Sequence, residues 1–136
     1  MNLLLDTHAI LWLDSGTPMT PEAVAAIEVA RLEGGVLVSP ISAWEIGLLV
    51  RKRRIALDVD PVAWFQRFLG IPGVRLTPLS VEAAAGSSLL PEPFHGDPGD
   101  RMITATAQTL SIPLVTRDRA IREFAALNGT PRIIVC

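Results

Sequence analysis

Five short apolar runs divide the chain, and each is nearly continuous rather than alternating. They are NLLL (2–5), GVLVS (35–39), GVRLTPL (73–79), IPLVT (112–116) and PRIIV (131–135). Continuous runs of this length are typical of strands that are buried on both faces of a sheet. The pattern therefore predicts five central strands.

Helical stretches separate these runs, and several begin with a recognisable cap. Thr20 and Asp60 each stand before a proline, which places a capping side chain ahead of the first helical position. Ser80 can cap SVEAAAGSSLL, and Asp100 or its neighbours can open DRMITATAQTL. Strands that alternate with helices pair in parallel through right-handed crossovers. The sequence thus predicts an α/β fold, which we expect to form one domain over residues 1–136.

Composition narrows the class of protein. The chain has one cysteine, Cys136, and two histidines, which strongly disfavours a zinc cage of thiolates and imidazoles, so we expect any metal to be held by oxygens. No apolar stretch approaches a membrane span and no signal peptide is visible, so we expect a cytoplasmic protein with no membrane contact. The net charge of −2 disfavours a general nucleic-acid coat protein.

Acidic residues stand at the ends of two predicted strands. Asp6 follows the first strand directly, and Asp118 follows IPLVT by two residues. The carboxyl ends of strands are where open parallel sheets bind ligands. Each acid also has a structural interpretation, because aspartate is a favoured helix cap and Asp100 would suit the first turn of its helix.

Glu45 is the unusual residue of an otherwise apolar helix, ISAWEIGLLV, and a buried acid is usually paired. If the acids met at one edge, they would repel one another by roughly 4 kcal/mol per pair at 4 Å and an effective dielectric of about 20. Such a cluster requires a cation, and oxygen ligands suit Mg²⁺ or Mn²⁺.

Four segments carry a family resemblance: LLLDTHAILWL, VSPISAWEIGLL, HGDPGDRMITATA and IPLVTRD, in this order and over nearly the whole chain. The sequence resembles the PIN-domain ribonucleases, and more narrowly the VapC-type toxins of toxin–antitoxin pairs. The resemblance implies a three-layer α/β/α sandwich with a central, mostly parallel sheet of about five short strands.

The resemblance also implies a function and a site. We expect an endoribonuclease that hydrolyses RNA phosphodiester bonds with metal-activated water, with Mg²⁺ or Mn²⁺ as its cofactor. Matched by motif, the catalytic acids are Asp6, Glu45, Asp100 and Asp118. Among these, Asp6, Asp100 and Asp118 are the expected metal ligands, whereas Glu45 would ligate or act as general base. Asp97 and Thr116 match supporting positions.

Further expectations concern the basic run, the partners of the chain and Gly99. The basic run Arg51, Lys52, Arg53 and Arg54 is either a solvated helix end or a phosphate contact for RNA. The resemblance implies a tRNA or rRNA substrate, a homodimer and a cognate antitoxin. We expect the antitoxin to bind the helices near PEAVAAIEVA and ISAWEIGLLV. Gly99 departs from the family pattern, where an apolar residue such as phenylalanine is frequent, and is expected to loosen its loop.

Other functions fit the sequence less well. Haloacid-type phosphatases need an aspartate where His8 stands and a lysine late in the chain, whereas Lys52 is the only lysine. A PIN nuclease of RNA maturation and a non-catalytic PIN-like binding module remain as alternatives. The presence of all four acids favours a nuclease over the binding module.

Overall fold

The computed structural model describes residues 1–94 and 96–136, so the histidine of the HGDPGD stretch lies outside the described residues. Five strands and seven helices form within these ranges. In chain order they are β1 (Leu3–Leu5), α1 (Thr7–Ser15), α2 (Pro21–Leu32), β2 (Val36–Val38), α3 (Pro40–Arg51), α4 (Pro61–Leu69), β3 (Val74–Leu76), α5 (Val81–Ser87), α6 (Pro98–Leu110), β4 (Leu114–Thr116), α7 (Arg119–Asn128) and β5 (Ile133–Val135). Each of the five predicted apolar runs contains one strand.

The five strands form one parallel sheet in the order β3-β2-β1-β4-β5. In the centre, Leu4 is in register with Leu37 on one side and with Leu114 on the other. The chain runs outward from β1 to β3 and then returns to place β4 beside β1. The direction of winding therefore reverses between β1 and β4, which is where such sheets open a crevice outside their carboxyl ends.

Side chains of the sheet alternate between two cores. Leu3 and Leu5 pack with α1, α2, α3 and α4 on one face. Leu4 packs on the other face with side chains of α6 and α7, among them Ile103 and Phe124. Helices thus cover both faces, which confirms the predicted three-layer α/β/α sandwich.

The helix starts follow the predicted caps. The side chains of Thr20, Asp60 and Ser80 each accept a hydrogen bond from the backbone N–H three residues on. The sequence allowed either Asp100 or a neighbour to open α6. In the structure Asp97 is the cap, and Asp100 lies in the first turn. Among the described residues, no helix combines the length and apolar character needed to cross a membrane.

Candidate metal centre at the sheet edge

Asp6 and Asp118 lie at the reversal point between β1 and β4, and both are helix caps. Oδ1 of Asp6 accepts the N–H of Ala9 at 2.7 Å, and Oδ1 of Asp118 accepts the N–H of Ile121 at 2.9 Å. The structural interpretation of these acids is therefore correct for one oxygen of each carboxylate. Because both also line a shared cavity, capping fixes their orientation without removing them from the site.

Thr116, the last residue of β4, connects the two acids. Its hydroxyl oxygen accepts the N–H of Asp118 at 3.0 Å, and its side chain hydrogen-bonds the carboxylate of Asp6. The residue is fully buried. Thr116 therefore contacts both acids through its side chain.

The start of α6 brings two more acids to this edge. Asp97 caps the helix by accepting the N–H of Asp100 at 2.9 Å. Asp97 is exposed and Asp100 is half-buried, and both line the same cavity as Asp6 and Asp118. The helix α6 therefore begins at the same edge of the sheet as Asp6 and Asp118.

Glu45 reaches the site from α3, and Thr7 holds it there. The Thr7 hydroxyl donates to Oε1 of Glu45 at 2.5 Å and lies 3.0 Å from the hydroxyl of Ser42. Sequence reasoning missed Thr7 and Ser42. Both had a signal, because Thr7 directly follows Asp6 and Ser42 precedes Glu45 by one helical turn on the same face.

The tightest group of acids differs from the predicted metal set. Carboxylate oxygens of Glu45, Asp97 and Asp100 lie within 4.8 Å of one another. Asp97, which the sequence predicted only as a supporting residue, thus belongs to the same group as Glu45 and Asp100. All five acids face one cavity of about 260 Å³, whose lining is Asp6, Thr7, His8, Glu45, Leu48, Leu49, Lys52, Arg54, Asp97, Asp100 and Asp118.

Burial and mutual repulsion raise the pKa values of three of these acids. Desolvation is the first cause for Asp6, which is 7% exposed, and its pKa is raised even though Thr116 and Ala9 hydrogen-bond the carboxylate. Desolvation also raises the pKa of Glu45, against the bond from Thr7. The pKa of Asp100 rises to about 8, through burial and then through repulsion by Asp97, Asp118, Glu45 and Asp6. The ionised cluster is therefore unfavourable in the metal-free protein.

The four residues of the basic run, at the end of α3, do not all face the acidic cavity. Lys52 and Arg54 line the acidic cavity. Arg53 instead lines a neighbouring cavity with Ile55 and Leu57, and Arg51 is exposed in the last turn of the helix. The structure thus brings two of the four predicted RNA contacts to the acids.

The arginines beside Asp118 are engaged elsewhere. Arg117 donates to the backbone oxygen of Cys136 at 2.9 Å, and its guanidinium carbon lies 3.9 Å from the ring centre of Trp12. Arg119 donates to Glu123 at 2.8 Å, one turn along α7. Arg117 therefore contacts the residue that follows β5, and Arg119 contacts a side chain on the exposed surface of α7.

A parallel α/β/α sandwich with carboxylates gathered outside the reversal point of its sheet is the arrangement of an acidic-site α/β protein, a class that includes the PIN domains. The PIN-domain family model matches residues 3–127, and the chain belongs to this family. It is 34% identical to Ribonuclease VapC22 of Mycobacterium tuberculosis over 121 residues, which cover 89% of this chain and 90% of that protein.

Two solved structures share the fold. A DNA-bound VapBC from Salmonella typhimurium is 19% identical with a TM-score of 0.67, over 99% of this chain and 98% of that chain. A toxin–antitoxin complex from Klebsiella pneumoniae is 21% identical with a TM-score of 0.62, over 98% of this chain and 96% of that chain. At these identities the likeness concerns the fold alone.

Proposed function

We propose that the chain is a divalent-metal-dependent endoribonuclease and the toxin of a toxin–antitoxin pair. One observation carries the proposal: five carboxylates face a single cavity at the carboxyl edge of a PIN-family sheet. The 34% identity to a ribonuclease over most of both chains supports RNA as the substrate class. We further propose tRNA or rRNA as the target.

The donor set fits a hard divalent cation. The acidic side chains offer oxygens, and Mg²⁺ and Mn²⁺ are bound mainly by oxygens. Burial first, and then repulsion among the acids, raises the pKa values of Asp6, Glu45 and Asp100, and a divalent cation would offset that repulsion. Asp6, Asp100 and Asp118 would hold the cation, and Glu45 and Asp97 face the same space.

A bound cation would lower the pKa of a coordinated water and neutralise charge on the phosphodiester. The chain's own residues supply orientation and proton transfer. Asp6 and Asp118 are fixed by their capping bonds and by Thr116. Desolvation raises the pKa of Glu45, and this carboxylate would either ligate the cation or accept a proton as general base. Lys52 and Arg54, at the cavity rim, would contact substrate phosphates.

Exposed apolar side chains support a protein partner. On α2, Val24, Val29 and Leu32 are exposed, Leu32 at 73%, and on α3 Trp44 is 50% exposed. Exposed apolar side chains mark interaction sites where they lie together on a surface. We propose that the α2 and α3 surface binds an antitoxin and that the chain forms a homodimer. Light scattering would then give twice the 14.6 kDa chain mass.

The nuclease is tested by cleavage of a labelled RNA in Mg²⁺, Mn²⁺ or EDTA. The Asp6→Asn variant keeps a good helix cap while removing the charge, so its loss of activity would not reflect unfolding. Asp60→Asn is the matched control, because Asp60 caps α4 at an exposed position. We expect cleavage that needs metal, survives in the control and vanishes in Asp6→Asn.

Two results would count against the proposal. Cleavage that persists in EDTA would refute metal dependence. RNA binding without cleavage, equal in the wild type and in Asp6→Asn, would favour a non-catalytic binding module instead.

A further inference from the structure

Gly99 stands between Asp97 and Asp100 in the first turn of α6, and it is buried. A Cβ atom built on Gly99 would come within 3.0 Å of both oxygens and the carboxyl carbon of Glu45. The φ angle of Gly99 is not in the left-handed region that favours glycine. The missing side chain therefore provides space rather than a backbone conformation.

The space at Gly99 is filled by Glu45. Oε1 of Glu45 accepts the hydroxyl of Thr7, and Oε2 is the atom that a Cβ at Gly99 would meet first. The carboxylate thus lies between Thr7 on one side and the bare backbone of α6 on the other. Gly99, which was expected to loosen its loop, lies in the first turn of α6 and is buried against this carboxylate.

We propose that Gly99 is a positioning residue: by lacking a side chain, it lets the Glu45 carboxylate approach Asp97 and Asp100 closely enough for the three to act on one divalent cation. The proposal rests on the proposed metal-dependent function. A methyl group at Gly99 meets the far end of a flexible side chain, so Gly99→Ala displaces Glu45 and leaves the backbone of α6 in place.

Calorimetric titration with Mn²⁺ tests this displacement. We expect Gly99→Ala to weaken Mn²⁺ binding by about tenfold, as is usual when the placement of a metal ligand is disturbed. The matched control is Gly96→Ala just before α6, where an added Cβ meets nothing within 4 Å and binding should be unchanged. Wild-type affinity in Gly99→Ala would overturn the proposal.

A shorter acid at position 45 separates displacement of Glu45 from general damage. In the Glu45→Asp background the side chain is one methylene shorter and its carboxylate is withdrawn from position 99, so Gly99→Ala should weaken Mn²⁺ binding by less than about twofold there. An equal loss in both backgrounds would show that Gly99 acts through something other than Glu45, and would refute the positioning role.

A metal-free measurement distinguishes failure of this inference from failure of the proposed function. If the wild type binds no Mn²⁺, the metal-dependent function fails, and the contact is judged by thermal unfolding. The change in Tm on Gly99→Ala should then differ by at least about 2 °C between the wild-type and Glu45→Ala backgrounds. Equal changes would mean that Gly99 and Glu45 are not in contact and would overturn the inference.

Discussion

Replacing Asp100 by asparagine should stabilise the metal-free protein at alkaline pH. The pKa of Asp100 rises from 3.8 to about 8 on folding, so the folded state holds its proton more tightly than the unfolded state. Between these two pH values the folded state binds more protons, and the free energy of unfolding falls as the pH rises. Asparagine keeps the shape of the side chain and removes the charge, so this decline should become smaller.

The size of the effect follows from the pKa. One pKa unit corresponds to about 1.36 kcal/mol, so a fully buried group with this change would contribute about 6 kcal/mol. Asp100 is half-buried, and solvent screens part of the repulsion, which leaves about 2 to 3 kcal/mol. The favourable interaction of an ionised Asp100 with the amino end of α6 is at most about 1 kcal/mol and does not reverse the sign.

Urea unfolding in EDTA, at about pH 5 and about pH 8, measures this difference. We expect Asp100→Asn to exceed the wild type near pH 8 and the gain to shrink toward pH 5. Asp60→Asn, a similar change at an exposed cap, should follow the wild type at both values. A wild type that is as stable near pH 8 as near pH 5, with no gain in Asp100→Asn, would refute the repulsion inferred for the cluster.

Three further substitutions test the packing and the site. The Thr104 hydroxyl is the one buried side-chain polar atom in the described part of the chain without a hydrogen-bond partner, so Thr104→Val should raise the free energy of unfolding by about 1 kcal/mol in urea titrations, and a loss would contradict this. Phe124 is buried, and its ring centre lies 4.5 Å from that of Phe94, so Phe124→Ala should lower the free energy of unfolding by about 3 to 5 kcal/mol. A change below about 1 kcal/mol in the same titrations would argue against this core. Asp118→Asn keeps the cap on Ile121, so calorimetry should show Mn²⁺ binding weakened by at least about tenfold without a lower Tm, and unchanged binding would remove Asp118 from the site.

The sequence by itself determined the elements and part of the site. Strand and helix positions depend on neighbours within one or two turns: the continuous apolar runs became β1 to β5, and Thr20, Asp60 and Ser80 cap the helices that they precede. Asp6 and Asp118 could be placed at one edge because they follow strands, and the carboxyl ends of parallel strands share an edge.

Only the tertiary structure decided how the acids group. Glu45 lies 52 residues before Asp97 in the chain, and the two meet because α3 and α6 both reach the sheet edge. No local pattern encodes that approach, so the sequence did not group Asp97 with Glu45 and did not single out Thr7. Gly99 shows the reason most directly. In the sequence it is a departure from a family pattern, and its surroundings depend on a carboxylate that arrives from another helix.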